Sequence, residues 1–349
     1  MMVEKYKIRT DLAMEQKERF ESDHVEVSGV ILEEEYDEEK EIKITMVRIE
    51  TENGAKTMGK PVGTYLTLEA PNMAASDEGY HREISETLAG FLEKYMKDGN
   101  AENEEVENEE VEKGEAEKGK VEKTAREKKE FSVLVVGLGN REVTPDALGP
   151  YVVDQLNITR HIVQEYGRYA VEKNGNRIVS AIVPGVMAQT GMETAEIVQG
   201  IVRETHPDMI IVIDALAARS TRRLNRTIQI SDAGIHPGAG VGNHRSGITK
   251  DTMGIPVLAI GVPTVVDAAT IVNDTMENFI AALETSETLK GVGVVLQGYN
   301  PAEKYELVKE LIAPHLNGMF VTPKDIDDTV RRISYIISEA LNILFTGKD

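Results

Sequence analysis

The sequence contains no cysteine, which excludes disulfide bonds, a thiol nucleophile and a zinc–thiolate site. No apolar run approaches the roughly 18 residues that a transmembrane helix needs. The first 24 residues are polar and mixed, without the apolar core of a signal peptide. We therefore expect a cytoplasmic protein with no membrane partner.

Positive charge is also scarce, with 39 Lys and Arg residues against 60 Asp and Glu residues and a formal net charge of −21. Proteins that bind nucleic acid directly depend on Lys and Arg at the phosphates, so we expect no direct nucleic-acid partner. Part of the acidity is local, because residues 101–130 hold twelve Glu and seven Lys or Arg.

The N-terminal part of the chain, residues 12–96, reads as a β-rich region followed by a helix. Apolar and polar residues alternate on both sides of Tyr36–Lys40, which predicts a hairpin. Gly54–Lys56 is expected to form a turn, and a further strand is expected within residues 59–71. Lys60 could be functional, but a turn residue that faces water is the favoured interpretation. An apolar stripe predicts a helix over 77–96.

Residues 97–130 form an acidic, low-complexity insertion with a loose five-residue repeat. That period matches neither a helix nor a strand, and the apolar surface is too small to offset the entropy of ordering. We therefore expect 97–128 to be disordered.

Strands and helices alternate in residues 131–290 of the third region, 131–349, which indicates an α/β fold with a mainly parallel sheet. The strand candidates are 132–136, 178–183, 209–213, 227–231 and 256–262. Helices are expected to begin at Thr144, at a capping box over Thr190–Glu193, and after Asp267. Two more are expected at 302–313 and 323–345.

Two aspartates follow buried strands in this region, each in the tripeptide Asp-Ala-Leu. Asp214 comes after the apolar run Met209–Ile213, and Asp146 comes after the strand at 132–136 and a loop. Ligands and reacting groups of parallel α/β sheets collect at the carboxyl ends of the strands. Two neighbouring carboxylates there could divide acid and base roles, since each disfavours ionisation of the other. Either residue alone could instead be a helix-start aspartate.

Other motifs leave alternatives open. The sequence GLGN at 137–140 lacks the third glycine of a dinucleotide loop, because Glu142 stands there, and a tight turn is the simpler interpretation. His236 lies in a glycine-rich loop at 230–247 and could be an accessory group or a metal ligand. A metal-dependent hydrolase using Asp146, Asp214 and His236 is one alternative, and a non-catalytic nucleotide-binding α/β module is another. Neither G-x-S-x-G nor H-E-x-x-H occurs.

Nine stretches resemble the germination protease, or spore protease, family of endospore-forming bacteria. They are RTDLAME (9–15), GKPVGTYLTLEAP (59–71), VGLGNREVTPDALGP (136–150), TRHI (159–162), SAIVPGVMAQTGMET (180–194), PDMIIVIDALAARS (207–220), TIQISDAGIHPGAGVGN (227–243), DTMGIPVLAIGVPTVVDA (251–268) and GMFVTPKDIDD (318–328). They span nearly the whole chain, whereas the acidic insertion departs from the pattern.

The resemblance implies a three-layer α/β/α fold similar to that of hydrogenase maturation proteases. It also implies a homotetrameric endopeptidase of atypical aspartic type without a cofactor, made as a zymogen in the forespore. The enzyme would degrade small acid-soluble spore proteins in the spore core during germination. The two essential aspartates of the family fall on Asp146 and Asp214.

The chain carries a copy of the implied substrate motif. Family sites read Thr-Glu-(Phe/Ile)-Ala-Ser-Glu with cleavage after the acid, and Thr10–Glu15 reads Thr-Asp-Leu-Ala-Met-Glu. We therefore expect self-cleavage between Asp11 and Leu12 and a propeptide of residues 1–11. Binding of acidic substrate residues calls for positive charge, and the candidates near the aspartates in sequence are Arg141, Arg219, Arg222 and Arg223.

Overall fold

The computed structural model describes residues 28–115, 131–167, 177–237, 246–285 and 318–346. Its strands are β1 Val30–Asp37, β2 Ile42–Ile49, β3 Gly63–Glu69, β4 Phe131–Gly137, β5 Arg177–Ile182, β6 Met209–Ala218, β7 Thr227–Ser231, β8 Val257–Asp267 and β9 Phe320–Val321. Its helices are α1 Glu52–Met58, α2 Glu78–Glu115, α3 Leu148–Asp154, α4 Arg160–Tyr166, α5 Met187–Thr190, α6 Thr194–Thr205, α7 Lys250–Met253, α8 Ala268–Thr285 and α9 Ile326–Thr346. Short 3-10 turns cover Thr144–Asp146 and Thr221–Arg223.

One mixed sheet runs through the described chain in the order β1-β2-β3-β7-β8-β6-β4-β5, with β9 paired to β8. Strands β8, β6, β4 and β5 are mutually parallel, as the alternation of strands and helices predicts. The N-terminal strands join the same sheet, because β3 pairs antiparallel with β7. The β-rich N-terminal region therefore extends the sheet of the α/β region.

Helices cover both faces of the parallel strands, which confirms the expected three-layer α/β/α class. Val133, Val135 and Ile211 pack in one core with helices α2, α3 and α9. The alternate residues Leu134 and Val212 pack in a second core with α6. Parallel strands buried on both faces need such a run of apolar residues. No described helix has the length and apolar character of a membrane span.

Several local expectations are confirmed. The predicted hairpin is formed by β1 and β2. The C-terminal helix is present as α9, and its predicted stripe is buried: Ile326, Val330, Ile333, Ile337 and Leu341. The side chain of Asp267 accepts a hydrogen bond from the backbone N–H of Ala269 in the first turn of α8, at 3.0 Å. The helix expected at 302–313 lies outside the described residues.

The expected turn at Gly54–Lys56 is wrong, because these residues belong to helix α1. Thr51 caps the helix through a 3.0 Å hydrogen bond from the N–H of Gly54, and Gly59 ends it in the left-handed conformation at φ 65°. Thr at the start and Gly at the end are typical helix boundaries. A helix this short shows too little periodicity to be recognised from the sequence.

Two further boundaries differ from expectation. Helix α2 continues to Glu115, so disorder is the wrong prediction for 97–115, while 116–128 lie outside the described residues. Glu, Lys and Ala are strong helix formers, and extending an existing helix avoids the cost of nucleation. The capping box before α6 is formed by Glu193 and Glu196 instead of Thr190 and Glu193.

Candidate active site

Asp214 lies inside strand β6, four residues before its end, so the expectation that it follows the strand is wrong. The neighbouring strand β4 stops at Gly137, which pairs with Ile213, whereas β8 continues beside β6 through Asp214 and beyond. Asp214 is therefore the first residue of β6 past the end of β4. Its side chain is only 7% exposed, and one carboxylate oxygen accepts the N–H of Ala215 at 2.9 Å.

The turn after β4 determines the position of Asp146. The N–H of Asn140 donates to the main-chain oxygen of Asp146 at 3.1 Å and to its carboxylate Oδ2 at 2.9 Å. Gly139 has φ +112°, and a Cβ there would lie 1.9 Å from the Asp146 oxygen. The GLGN motif is thus a tight turn that wraps around Asp146.

A close approach of backbones brings this turn to strand β6. The N–H of Leu138 donates to the carbonyl of Ile213 at 2.8 Å. A Cβ on Gly149, at the start of α3, would lie 2.7 Å from the same carbonyl oxygen. On the far side, the hydroxyl of Thr264 in β8 donates to the carbonyl of Pro145 at 2.7 Å. Pro145, next to Asp146, is therefore held by β8. Ile213, next to Asp214, is held by the turn after β4.

Both aspartates line one cavity of about 670 Å³ at the carboxyl ends of the parallel strands. A change of register between Leu216 and Ala217 in β6 lies in the cavity wall; such irregularities are common beside active sites and redirect side chains. The lining residues also include Lys60, Pro61, Tyr65, Pro145, Ser231, His236, Thr264 and Phe320.

Lys60 lines the cavity, although the sequence favoured a position in a turn facing water. It was expected to face water in a turn, but it is half-buried and lines the cavity with the two aspartates. The expectation failed because the loop that holds Lys60 follows helix α1, which was itself read as a turn. The signal available in the sequence was its position in GKPVGTYLTLEAP, one of the stretches that carry the family resemblance.

His236 lines the cavity and also a neighbouring cavity, which shares Pro61 with the first. Gly247 packs against its imidazole, and a Cβ there would lie 2.7 Å from Nε2. Partial burial and the positive charge of Lys60 lower the pKa of His236 below its ordinary value. Both effects favour the neutral form of the imidazole.

The four arginines expected to bind substrate are not among the described residues that line the cavity. Arg141 forms a two-pronged ion pair with Asp154, which raises the pKa of Arg141 and lowers that of Asp154. Arg223 pairs with Glu69 at 3.2 Å. Arg222 donates to the side chain of Asn278 at 3.4 Å, and Arg219 follows the end of β6.

The described part of the chain contains no group of three His, Asp or Glu side chains placed to hold a metal ion. Asp146, Asp214 and His236 line the same cavity but do not form such a group. The predicted cleavage site at Asp11 and Leu12 lies outside the described residues.

Fold and cavity together define an α/β protein with a carboxylate-lined site at the carboxyl edge of its parallel strands, the usual location of active sites in this class. The model of the germination protease family matches residues 8–108 and 108–290. The chain belongs to the germination protease family, as its resemblance to that family predicted, and it is a protease that acts on protein substrates.

Relatives named germination protease are similar over almost their full length. The protein from Caldanaerobacter subterraneus is 43% identical over 96% of this chain and 93% of its own length. The one from Priestia megaterium is 38% identical over 97% and 93%. Among solved structures, the NiFe hydrogenase maturation protease HycI from Thermococcus kodakarensis covers 61% of this chain and 94% of its own, with 15% identity and a TM-score of 0.30.

Proposed function

We propose that this germination protease is an atypical aspartic endopeptidase in which Asp146 and Asp214 carry out the hydrolysis. The observation that supports this proposal is their presence in one cavity. Each is held on a separate backbone element, and the two elements are joined by the hydrogen bond from Leu138 to Ile213. A rigid backbone on both sides is what an acid and a base need to act on one bond.

The reaction needs one protonated and one ionised carboxyl group. The ionised aspartate takes a proton from a water molecule as the water oxygen attacks the peptide carbonyl carbon. The protonated aspartate gives its proton to the leaving amine as the carbon–nitrogen bond breaks. A second proton transfer returns the pair to its starting state, so water is the sole co-reactant.

The proposed substrates are small acid-soluble spore proteins, cleaved after the acid of Thr-Glu-(Phe/Ile)-Ala-Ser-Glu sites in the spore core during germination. The similarity of Thr10–Glu15 to such a site supports a zymogen that removes residues 1–11 by cutting between Asp11 and Leu12. We also propose that the enzyme works as a homotetramer. Each of these assignments is what resemblance to the germination protease family implies, and the match to the family model supports that resemblance.

The test is cleavage of a peptide containing Thr-Glu-Ile-Ala-Ser-Glu by the chain made without the proposed propeptide, residues 1–11, and by its Asp146→Asn and Asp214→Asn variants. Asparagine keeps the shape but can neither accept nor release a proton, so we expect each variant to lose about 10³-fold or more in kcat/KM. Asp325→Asn, which changes an exposed aspartate before α9, serves as the matched control and should cleave like the wild type.

Two results would contradict the assignment. Full activity of either cavity variant would remove that aspartate from the chemistry. Loss of wild-type activity in a chelator, restored by a divalent metal ion, would instead favour a metal-dependent hydrolase.

A further inference from the structure

The charge of the cavity creates a requirement that the aspartates cannot meet. A cavity with two carboxyl groups, in a chain of net charge −21, repels a third carboxylate. The proposed substrates nevertheless present an acidic side chain next to the bond that is cut. A positive group must therefore lie inside the cavity, close to the reacting carboxyl groups.

Lys60 is the one side chain with a permanent positive charge among the described residues that line the cavity. Burial and the charge of Lys60 lower the pKa of His236, which makes its imidazole a poorer source of positive charge. Tyr65 also lines the cavity, but burial and the charge of Asp232 raise the pKa of its hydroxyl, which stays protonated. The four candidate arginines, Arg141, Arg219, Arg222 and Arg223, are not among the described residues that line the cavity.

The backbone around Lys60 is fixed on both sides. Gly59 closes helix α1 by donating its N–H to the carbonyl of Ala55 at 2.8 Å, and the N–H of Lys60 donates to the same carbonyl at 3.2 Å. The following residue, Pro61, restricts Lys60 to extended conformations. The carbonyl of Pro61 accepts the hydroxyl of Tyr65 at 2.9 Å. The backbone of Lys60 is therefore rigid, as expected for a residue that determines substrate specificity.

We propose that Lys60 determines the specificity of the protease by binding the carboxylate of the acidic residue that precedes the scissile bond. The inference rests on the proposed function, because it assumes cleavage after an acid. The ammonium group offsets the negative charge of the aspartates and forms a charge-assisted hydrogen bond with the substrate side chain. A neutral amide at the same substrate position gains much less from it.

The experiment compares kcat/KM on two peptides that differ by one group, Thr-Glu-Ile-Ala-Ser-Glu and Thr-Gln-Ile-Ala-Ser-Glu, each with the same flanks. Every variant is made without the proposed propeptide, residues 1–11, so that self-cleavage after Asp11 does not limit its activity. The wild type should prefer the Glu peptide. Lys60→Met should lose roughly 10- to 100-fold on the Glu peptide and far less on the Gln peptide, so that the preference disappears. Lys60→Arg should keep the preference, because the positive charge remains.

Lys56→Met is the matched control, since Lys56 lies in α1 four residues earlier, is exposed and does not line the cavity. It should cleave both peptides like the wild type. Thermal unfolding of each variant shows whether the fold is destabilised. A destabilised protein loses activity on both peptides alike, whereas loss of specificity changes the ratio of the two kcat/KM values.

Two outcomes would overturn the inference in different ways. If Lys60→Met loses the same factor on both peptides, Lys60 acts on the aspartates or on the fold, and the proposed function stands. If the wild type cleaves neither peptide, the proposed function fails and takes this inference with it.

Discussion

Gly139 is the residue on which the position of Asp146 depends most directly. Its φ of +112° is unfavourable for any residue with a side chain, and an added Cβ would lie 1.9 Å from the main-chain oxygen of Asp146. A substitution therefore forces the turn and Asp146 apart. The carboxylate would lose its hydrogen bond from Asn140, which belongs to the same turn.

We expect Gly139→Ala to lower the free energy of unfolding by about 3 kcal/mol or more and to reduce peptide cleavage beyond what the unfolded fraction explains. Gly254→Ala is the control, because Gly254 has φ +74° but nothing within 4 Å of its added Cβ. It should cost about 1 kcal/mol and leave cleavage unchanged. Urea unfolding and kcat/KM measure both effects. Equal losses in the two variants would show that contact with Asp146 is unimportant.

The sequence predicted the residues of the candidate site unevenly. Asp146 and Asp214 were found because each comes after an apolar run typical of a buried strand, and parallel strands bring their carboxyl ends to one edge. Lys60 lies in the loop between α1 and β3, in the N-terminal part of the chain. No periodic pattern in the sequence connects this loop to the aspartates. The arginines illustrate the converse error, since Arg141 is near Asp146 in sequence but pairs with Asp154.

Among the elements, β8 contributes most to the geometry of the site. It pairs with β6 through Asp214, and its Thr264 holds the 3-10 turn that carries Asp146 through the bond to Pro145. The main-chain oxygen of Thr264 also accepts the hydroxyl of Thr322 at 2.9 Å. One strand therefore supports both carboxyl groups.

Thr264→Val tests this support, because valine has nearly the shape of threonine without the hydroxyl. Thr264 is fully buried, so the carbonyl of Pro145 would lose the hydrogen bond from the Thr264 hydroxyl and the variant should be about 1–3 kcal/mol less stable. A lower kcat is also expected, since the turn gains freedom. Thr264→Ser keeps the hydroxyl and should retain the kcat of the wild type. Unchanged kcat in Thr264→Val would show that other contacts hold the turn.

The elements that the sequence predicted well are those with long periodic patterns. The stripe of α9 and the apolar runs of β4 and β6 are set by burial, which is visible in the residue types. The end of β6 was missed because its length depends on pairing with β8 beyond Asp214. The end of α2 was missed because its last turns carry no apolar stripe, and helix propagation from a stable start does not need one.

At the scale of the whole molecule, the sheet joins the N-terminal strands to the strands that bear the aspartates. The pairing of β3 with β7 continues through β7 and β8 to β6. The loop between α1 and β3 thereby reaches the cavity, and Lys60 and Pro61 line it together with the two aspartates. The cavity consequently has walls from both parts of the chain.

The proposed zymogen makes the full chain its own substrate, and self-cleavage can be followed without an added peptide. Intact mass, measured over time at mildly acidic pH, should show loss of residues 1–11 from the wild type. The same chain with Asp214→Asn should stay whole, because hydrolysis needs both carboxyl groups to exchange protons. A variant with Asp11→Asn should be cut slowly even though its cavity is intact.

Comparison of these three chains distinguishes the causes of cleavage. If wild type and Asp214→Asn are cut alike, a contaminating protease or another residue is responsible, and Asp214 is not required. If Asp11→Asn is cut at the wild-type rate, the protease does not recognise the acidic side chain that precedes the scissile bond. Mixing intact Asp214→Asn with active wild type separates cleavage within one chain from cleavage between chains. In the second case the inactive chain is cut at a rate that rises with the concentration of the active one.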